Sequence, residues 1–499
     1  MVFSLPTLKT ERERFLILVF VLTLLLRIPS LFEPYWYGDE GVYLTLGEAI
    51  KKGLMLYRDI HDNKPPLLYI FASFSGGLLG FRLLLMFWSL ATVFLFFRLS
   101  ETLFPKQNKL TALATVIFAV FSSIPLIEGN IANAENFMLL PTLLGALLVW
   151  ENPTNKRLFL AGISFSLAAL FKIPAAFDFA AIIVFLLFFQ SFKNLKEWLT
   201  NLFPFSKKLL LFALGFILPI FLTFIYFGLN DALYRYFIAA FSQNIPYLSS
   251  WQTSNHSQFA PTGIMSRFVI FMITIFLVWL YRKRISSNWL FVCLWFSFSL
   301  FAATLSGRPY PHYLLQVLPS LSLLVAWLTT SGGRQRLLSL VFLGIFAVAI
   351  YSFRFWSYSP PTYYQNFFAW TLGQKNKEEY FRTFNGQTPQ TYKLAEFLVE
   401  RTTDKEKIFI WGDNPNLYAL SRRLPVGRYV AAYHINDFNG YQETMTALTN
   451  NPPRIIISYK DEEKSFPELA SFLESRYSLT TNIDDARIYQ LNPLSFKRR

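Results

Sequence analysis

Long apolar runs alternate with short polar segments along residues 1–354. A helix that crosses the core of a bilayer needs roughly 20 apolar residues, and about eleven of the runs approach this length. The spans predicted from the pattern are 14–32, 81–99, 110–127, 137–151, 158–173, 175–191, 209–228, 266–281, 288–305, 313–330 and 336–354. The chain is therefore predicted to be an α-helical polytopic membrane protein with about 11 transmembrane helices.

The pattern changes in the tail, residues 355–499, where polar residues and prolines become frequent. Short β-rich runs and helix-like stretches alternate there, as they do in a small α/β domain. The predicted strands are 407–412, 454–459 and 486–491, and the helix-like stretches are 392–402 and 466–477. We predict a transmembrane domain over 1–354, with an outer loop at 33–80, and a soluble α/β domain over 355–499.

The amino-acid composition also indicates a membrane protein. Of the 499 residues, 53% are hydrophobic and 15% are charged, and the mean hydropathy is +0.35. This leaves too few charges for a water-soluble protein of this size. The formal net charge of +15 raises the question of nucleic-acid binding, but the basic residues form short clusters between apolar runs. We therefore expect membrane lipids, and no nucleic acid, as partners.

Loops rich in lysine and arginine alternate with loops that carry few cations. Such basic loops mark the cytoplasmic side of a membrane protein. They cover 9–14, 104–109, 155–157, 192–208, 281–284 and 332–336. The chain is thus predicted to be an integral protein of the cytoplasmic membrane with a cytoplasmic amino terminus. The other loops and the tail, which carry most of the candidate chemistry, are predicted to be extracytoplasmic.

Two adjacent acids, Asp39 and Glu40, follow the first predicted span in YWYGDEGVYLTLGEAI. A carboxylate at the edge of the bilayer is costly unless it faces water, a partner or a substrate, so both acids are functional candidates. Alternatively, Asp39 caps the next helix and Glu40 lies in its first turn, where an acid favours the helix dipole. The following polar segment adds the charged residues Arg58, Asp59, His61, Asp62 and Lys64.

These residues belong to an ordered set of motifs. The Asp-Glu pair is followed by YRDIHDNKPPLLY, a second span, GNIANAEN, LFKIP and GRPYPHYLLQVLP. The set resembles the membrane glycosyltransferases of the GT-C fold, specifically the bacterial relatives of protein O-mannosyltransferases and of the aminoarabinose transferase of lipid A. The likeness runs through the whole membrane part, and WGDNPNLYALSRRLPVGRY (411–429) resembles the tails of these transferases.

The resemblance implies inverting transfer of a sugar from a polyprenyl-phosphate-linked donor. The acceptor would be a hydroxyl or amine of an envelope glycan, lipid or protein on the outer face of the cytoplasmic membrane. A carboxylate within hydrogen-bond reach can take the acceptor proton, and we expect Asp39 to be this base, with Glu40 as the second catalytic candidate. Cations at the headgroup level would stabilise the leaving phosphate. The candidates for phosphate binding are Arg58, Lys64, Lys172, Arg308 and His312.

Three further side chains, Glu135, His61 and Asp62, are candidates for orienting the acceptor or a divalent metal ion. Metal use stays open, because no pair has a dedicated spacing such as His-x-x-x-His. Glu135 also fits a first-turn acid at a helix amino terminus. Lys172 also fits a residue that extends its ammonium group to the membrane surface, since a lysine at mid-span costs roughly 2.5–3.5 kcal/mol.

A transporter or flippase of lipid-linked sugars is the alternative function. Transporters place ionisable residues near the bilayer midplane on broken helices of matching halves, whereas here these residues cluster at the outer ends of the predicted spans. A third interpretation is an outer-face binding or assembly module whose function lies in the tail. Within the tail, Asp413, Arg422 and Arg423 either contact an acceptor or form a charged turn, which is the commoner arrangement in a small α/β domain. His256 is expected to be solvated in the polar loop 243–262, which would close over substrate.

Overall fold

The computed structural model describes residues 11–188, 195–247, 263–460 and 465–493. It is 71% helical and divides into two compact units. Unit 1 consists of residues 1–30, 83–223 and 244–363, and unit 2 consists of residues 31–82, 224–243 and 364–499. The predicted domains 1–354 and 355–499 stay a prediction. His256 and most of the loop 243–262 lie outside the described residues.

Helices make up most of both units. The α-helices are α1 (Glu11–Arg27), α2 (Gly38–Lys51), α3 (Leu67–Ser75), α4 (Leu78–Leu103), α5 (Asn108–Phe121), α6 (Ala134–Trp150), α7 (Asn155–Phe171), α8 (Ala176–Phe188), α9 (Leu195–Leu229), α10 (Leu233–Phe237), α11 (Asn244–Tyr247), α12 (Ile264–Tyr281), α13 (Ser287–Thr304), α14 (Leu318–Thr330), α15 (Gly333–Phe353), α16 (Pro360–Thr371), α17 (Lys377–Arg382), α18 (Thr388–Arg401), α19 (Asn416–Ser421), α20 (Ala432–Asp437), α21 (Tyr441–Asn450) and α22 (Pro467–Arg476). The 3₁₀ segments are Ile28–Phe32, Pro125–Ile127, Ile173–Ala175 and Pro311–Leu315, and a π-helical segment covers Ile238–Ser242.

Within the described ranges, six helices are long and apolar enough to cross a membrane. They are Glu11–Phe32, Leu78–Leu103, Ser206–Leu229, Ile264–Tyr281, Ser287–Thr304 and Gly333–Phe353. Shorter apolar helices cover Asn108–Phe121, Ala134–Trp150, Ile173–Phe188 and Leu318–Thr330, and the predicted span 158–173 coincides with α7. Each predicted span thus has a helix at its position, which supports an integral membrane protein. The number of crossings stays a prediction.

The core of unit 1 is built around α13, whose side chains are buried along nearly its whole length. The indole of Trp289 on α13 stacks on that of Trp327 on α14, with 4.0 Å between the ring centroids. Where α7 crosses α9, a Cβ added to Gly162 would lie 2.1 Å from the carbonyl oxygen of Phe212. A glycine is therefore required for this approach of the two backbones.

Unit 2 contains a four-stranded sheet in the order β1-β2-β4-β3. The strands are β1 (Phe409–Trp411), β2 (Ile455–Tyr459), β3 (Tyr477–Ile483) and β4 (Ala486–Leu491). β1 is parallel to β2, whereas β4 is antiparallel to both β2 and β3. The three predicted strands are present, and β3 is an additional strand that the sequence pattern did not predict.

Unit 2 also contains α2 and α3, which flank the polar segment of residues 52–66. A Cβ added to Gly47 on α2 would lie 2.7 Å from the backbone of Ala72 on α3, and one added to Gly41 would lie 2.5 Å from the amide oxygen of Asn416 on α19. Helix α2 therefore packs closely against α3 on one side and against a tail helix on another. This packing fixes the charged segment between α2 and α3 within the same unit as the sheet.

Candidate active site

Asp39 lies in the first turn of α2, in unit 2. The residue that caps this helix is Tyr37, which makes no side-chain capping bond, so the alternative in which Asp39 is the helix cap is wrong. One turn further along, the hydroxyl of Tyr43 donates a hydrogen bond of 2.8 Å to Asp39 Oδ2. The ammonium nitrogen of Lys64 is 3.5 Å from the same oxygen, and the Asp39 side chain is 35% exposed. Asp39 is thus an accessible carboxylate with a cation and a hydroxyl beside it.

Lys64 is held at both its backbone and its side chain. Its N–H donates to the hydroxyl oxygen of Tyr69 at 3.2 Å, and its carbonyl accepts from the hydroxyl of Tyr57 at 2.8 Å. Its ammonium nitrogen lies between two carboxylates, 3.5 Å from Asp39 Oδ2 and 3.7 Å from Asp62 Oδ2. Two prolines follow Lys64 and lead directly into α3, which limits the backbone conformations of this segment.

Glu40, the neighbour of Asp39, has a different environment. Its carboxylate accepts hydrogen bonds from Arg82 Nε at 3.0 Å and Arg82 Nη2 at 2.5 Å, and Arg82 Nη1 is 2.8 Å from Glu33 Oε2. All three side chains are buried. Because successive residues on a helix point in different directions, Glu40 is directed into this buried ion-pair cluster. The arrangement favours a structural role for Glu40 over the predicted catalytic one.

Unit 1 brings together a second group of predicted residues, at the amino-terminal end of α6. Glu135 Oε1 contacts the ammonium group of Lys172 and is 3.6 Å from His312 Nε2. His312 Nδ1 is 2.5 Å from Glu128 Oε2, and Lys172 Nζ lies 4.2 Å from the centroid of the Tyr313 ring. We call Glu128, Glu135, Lys172 and His312 the unit 1 cluster. Lys172 thus pairs with a carboxylate of the protein. Its position is therefore not explained only by an ammonium group that extends to the membrane surface.

The loop of GNIANAEN is folded by its asparagines. Asn133 caps α6 by accepting a hydrogen bond from the N–H of Asn136 at 3.2 Å. The amide of Asn136 donates to the carbonyls of Glu128 and Ile131 at 3.1 and 2.8 Å. A Cβ added to Gly129 would lie 2.6 Å from the carbonyl group of Ser122. The asparagines and the glycine therefore shape a loop whose two acids can both reach His312.

Three further predicted residues, Arg58, Arg308 and His61, make the contacts that follow. Arg58 is at the surface of unit 2, where its guanidinium binds Asp59 at 2.8 Å and the carbonyl of Asn230 at 3.0 Å. Arg308 lies in the turn after α13, and its N–H donates to Ser306 Oγ at 3.2 Å. The ring of His61 packs against Tyr429, His434 and Phe438. None of these contacts involves Asp39 or the unit 1 cluster.

Asp62 and His61 are among the groups of unit 2 whose pKa values are shifted. Burial alone raises the pKa of Asp62, but the positive charge of Lys64 and hydrogen bonds from His434 and Tyr69 outweigh it and lower that pKa. Burial, together with His434 and Arg428, holds the pKa of His61 well below its usual range. Asp62 is therefore ionised and His61 is neutral at physiological pH. No three His, Cys, Asp or Glu side chains among the described residues are grouped so that they could hold a metal ion.

Sequence reasoning did not single out three residues that complete these clusters: Glu128, Arg82 and His434. Glu128 begins the same loop as Glu135 and directly follows an apolar run, which is the signal that selected Asp39. Arg82 is a lone cation at the start of a long apolar helix, and this rarity was also a usable signal. His434 lies in an ordinary polar stretch of the tail, and nothing in its neighbourhood marks it.

No family model and no curated protein sequence matches the chain, but solved structures do. ArnT from Cupriavidus metallidurans bound to undecaprenyl phosphate has a TM-score of 0.56 and 12% identity, covering 95% of this chain and 98% of that one. ArnT in the apo state has a TM-score of 0.57 and 14% identity, covering 96% and 98%. Archaeal oligosaccharyltransferase AglB from Archaeoglobus fulgidus has a TM-score of 0.48 and 13% identity, covering 96% and 74%.

The likeness to ArnT extends over nearly the whole of both chains. At this level of sequence identity it establishes the fold. The chain has the GT-C fold of ArnT, and the fold that the sequence motifs implied is confirmed.

Proposed function

We propose that the protein is an inverting GT-C glycosyltransferase that moves a sugar from a polyprenyl-phosphate-linked donor to an envelope glycan, lipid or protein. Its fold is that of ArnT, which was solved with undecaprenyl phosphate bound. The observation that carries the proposal is the pair formed by Asp39 and Lys64, an accessible carboxylate 3.5 Å from an ammonium group. This pair combines a proton acceptor with a cation that can meet a phosphate.

In the proposed reaction, the oxygen or nitrogen of the acceptor attacks the anomeric carbon of the sugar as the bond from that carbon to the phosphate oxygen breaks. The acceptor proton passes to the Asp39 carboxylate, and polyprenyl phosphate leaves with the electron pair of the broken bond. Tyr43 and Lys64 both contact Oδ2 of Asp39 and so orient its carboxylate before the reaction. Among the five predicted phosphate-binding residues, Lys64 is best supported, because it adjoins the proposed base and its backbone is held at both ends.

The unit 1 cluster suits a ligand hydroxyl or amine better than a phosphate. Lys172 and His312 already contact Glu135 and Glu128, and two carboxylates would repel an incoming phosphate. The same carboxylates can accept hydrogen bonds from a hydroxyl or an amine. We therefore propose that Glu128 and Glu135 bind a hydroxyl or an amine of a ligand, with Lys172 and His312 holding the two acids in place.

The experiment that tests this function uses the purified protein in detergent. Lipids extracted from cells that carry Asp39→Asn supply the donor, because a blocked transferase causes its lipid-linked sugar to accumulate. We expect the wild-type protein to release polyprenyl phosphate from this extract when an envelope acceptor is added. A detergent micelle does not separate two compartments, so a transporter would release no polyprenyl phosphate in this assay. Absence of release by folded wild-type protein, with donor and acceptor both verified by mass spectrometry, would contradict the proposal.

A further inference from the structure

Asp62 is a buried charged residue of unit 2, with 3% of its side chain exposed. Its Oδ2 accepts a hydrogen bond of 2.7 Å from the hydroxyl of Tyr69, and its Oδ1 accepts one of 2.7 Å from the N–H of Asn63. Lys64 Nζ is 3.7 Å from Oδ2, and His434 Nε2 is 3.4 Å from Oδ1. A buried carboxylate is tolerated only with partners of this kind, so the orientation of Asp62 depends on all four.

His434 is the one of these partners that comes from the tail. It lies on α20 and is itself buried. The N–H of its neighbour Tyr433 donates to Asp413 Oδ1 at 2.9 Å, and its ring packs against those of Tyr433 and Phe438. The imidazole therefore occupies a fixed position in the tail and presents Nε2 to Asp62.

The tail also holds the backbone on either side of Asp59. The N–H of His61 donates to the carbonyl of Arg428 at 2.9 Å, and Arg428 Nη1 donates to the carbonyl of Tyr57 at 3.2 Å. These two hydrogen bonds fix the backbone segment that leads to Asp62 and Lys64. His434 adds a side-chain contact to the carboxylate that this chain presents.

We propose that His434 is a positioning residue for glycosyl transfer: it fixes Asp62, and Asp62 draws the ammonium group of Lys64 away from full contact with Asp39. The inference rests on the proposed function, in which Asp39 is the base and Lys64 meets the donor phosphate. Lys64 then divides its charge between two carboxylates at 3.5 and 3.7 Å. Without the restraint on Asp62, Lys64 pairs more fully with Asp39, which leaves less of its positive charge for the donor phosphate.

The test compares His434→Gln with His434→Asn. The amide nitrogen of glutamine can take the place of Nε2, whereas that of asparagine corresponds to Nδ1 and does not reach Asp62. Loss of a hydrogen bond to a charged group corresponds to a fall of about 10- to 100-fold in kcat/KM. We expect His434→Asn to lower kcat/KM for the lipid-linked donor by this factor, mainly through KM, and His434→Gln to restore most of it. A purely structural role would instead lower the melting temperature and leave the kinetics of the folded fraction unchanged in both variants.

A second comparison uses the dependence on Lys64. Because His434 acts through Asp62 and Lys64, His434→Asn should cause no further loss when added to Lys64→Ala. Full additivity of the two losses, or wild-type donor kinetics in a well-folded His434→Asn protein, would overturn the inference. The Asp39→Asn variant distinguishes failure of this inference from failure of the proposed function. If Asp39→Asn is inactive and His434→Asn is fully active, only the positioning role of His434 is refuted. If Asp39→Asn is fully active, the proposed function is refuted.

Discussion

Arg82 binds the carboxylate of Glu40 through two nitrogens, with Nη2 2.5 Å from Oε2 and Nε 3.0 Å from Oε1. The two side chains are 1% and 2% exposed, whereas that of Asp39, the residue before Glu40, is 35% exposed. Two adjacent acids of the same helix turn thus have opposite environments. One is enclosed with a guanidinium group, and the other is partly open to solvent.

The buried pair leads to a prediction about stability. Removing one partner of a buried ion pair costs about 3–5 kcal/mol, and Glu40→Gln should fall near the lower end because Arg82 keeps its contact with Glu33. Thermal unfolding of the purified protein measures this loss. Glu48→Gln is the matched control on the same helix, since its ion pair with Lys52 is partly exposed and is worth at most about 1 kcal/mol. A Glu40→Gln protein of normal stability but without transfer activity would instead establish Glu40 as catalytic.

The unit 1 cluster leads to a prediction about coupling. Lys172→Met should destabilise the protein, because it leaves Glu135 buried without its ammonium partner. Adding Glu135→Gln should recover part of that loss, so the double-mutant cycle should give a coupling free energy of about 1 kcal/mol or more. Lys156→Met, an exposed lysine at the other end of α7, is the control and should change stability little. Strictly additive effects of Lys172→Met and Glu135→Gln would show that the two groups do not interact.

The environment of His61 predicts a pH dependence of stability. Neither ring nitrogen has a hydrogen-bond partner among the described residues, and the pKa of His61 is held well below its usual range by burial and by nearby His434 and Arg428. The unfolded chain binds a proton at His61 below about pH 6.5, whereas the folded chain does not. The contribution of His61 to the free energy of unfolding is therefore present above about pH 6.5. It is lost as the pH falls below this value, by at most about 1.4 kcal/mol per pH unit.

The variant that tests this dependence is His61→Phe, which keeps a ring and removes the titrating group. Its melting temperature should fall less than that of the wild-type protein between about pH 7 and pH 5. Phe438→Leu, which alters a ring packed against His61, should lower the melting temperature without changing its pH dependence. Parallel curves for His61→Phe and the wild-type protein would contradict the prediction.

The proposed orientation in the membrane is tested by cysteine labelling. In a Cys293→Ala background, Gln442→Cys in the tail should react with an impermeant thiol reagent in intact cells, and Gln107→Cys between α4 and α5 should not. Both positions are exposed in the structure, so access to the reagent depends on the side of the membrane. Labelling of Gln107→Cys alone would place the tail in the cytoplasm and exclude an outer active site.

The helices were predictable from the sequence because each apolar run is long and bounded by polar or charged residues. β3 was missed for the complementary reason: most of its residues are exposed, so YSLTTNI shows no alternation of apolar and polar positions. The acids and cations of the two clusters could be singled out because charges are rare and costly beside a bilayer. Their partners were not, since Glu128 and His312 are 184 residues apart in the chain, and Glu40 and Arg82 are 42 apart.

The roles of the two opening acids could be distinguished only in three dimensions. Asp39 and Glu40 differ by one residue in their distance from the first span, and both suit the first turn of a helix. Helix geometry points them in different directions, but which of them meets Arg82 depends on how α2 packs against the rest of unit 2. The same limit applies to His434, whose significance depends wholly on its distance from Asp62.

The most direct test of Asp39 as the base is the rate of sugar transfer by Asp39→Asn, measured in detergent with saturating donor and acceptor. The change preserves the size of the side chain and its ability to accept a hydrogen bond from Tyr43, so the folded yield should stay close to that of the wild-type protein. Asp59→Asn, which alters an acid of the same segment outside the Asp39 contacts, is the matched control and should transfer sugar normally. We predict a fall of about 10²- to 10⁴-fold for Asp39→Asn; a rate equal to that of the control would contradict the account.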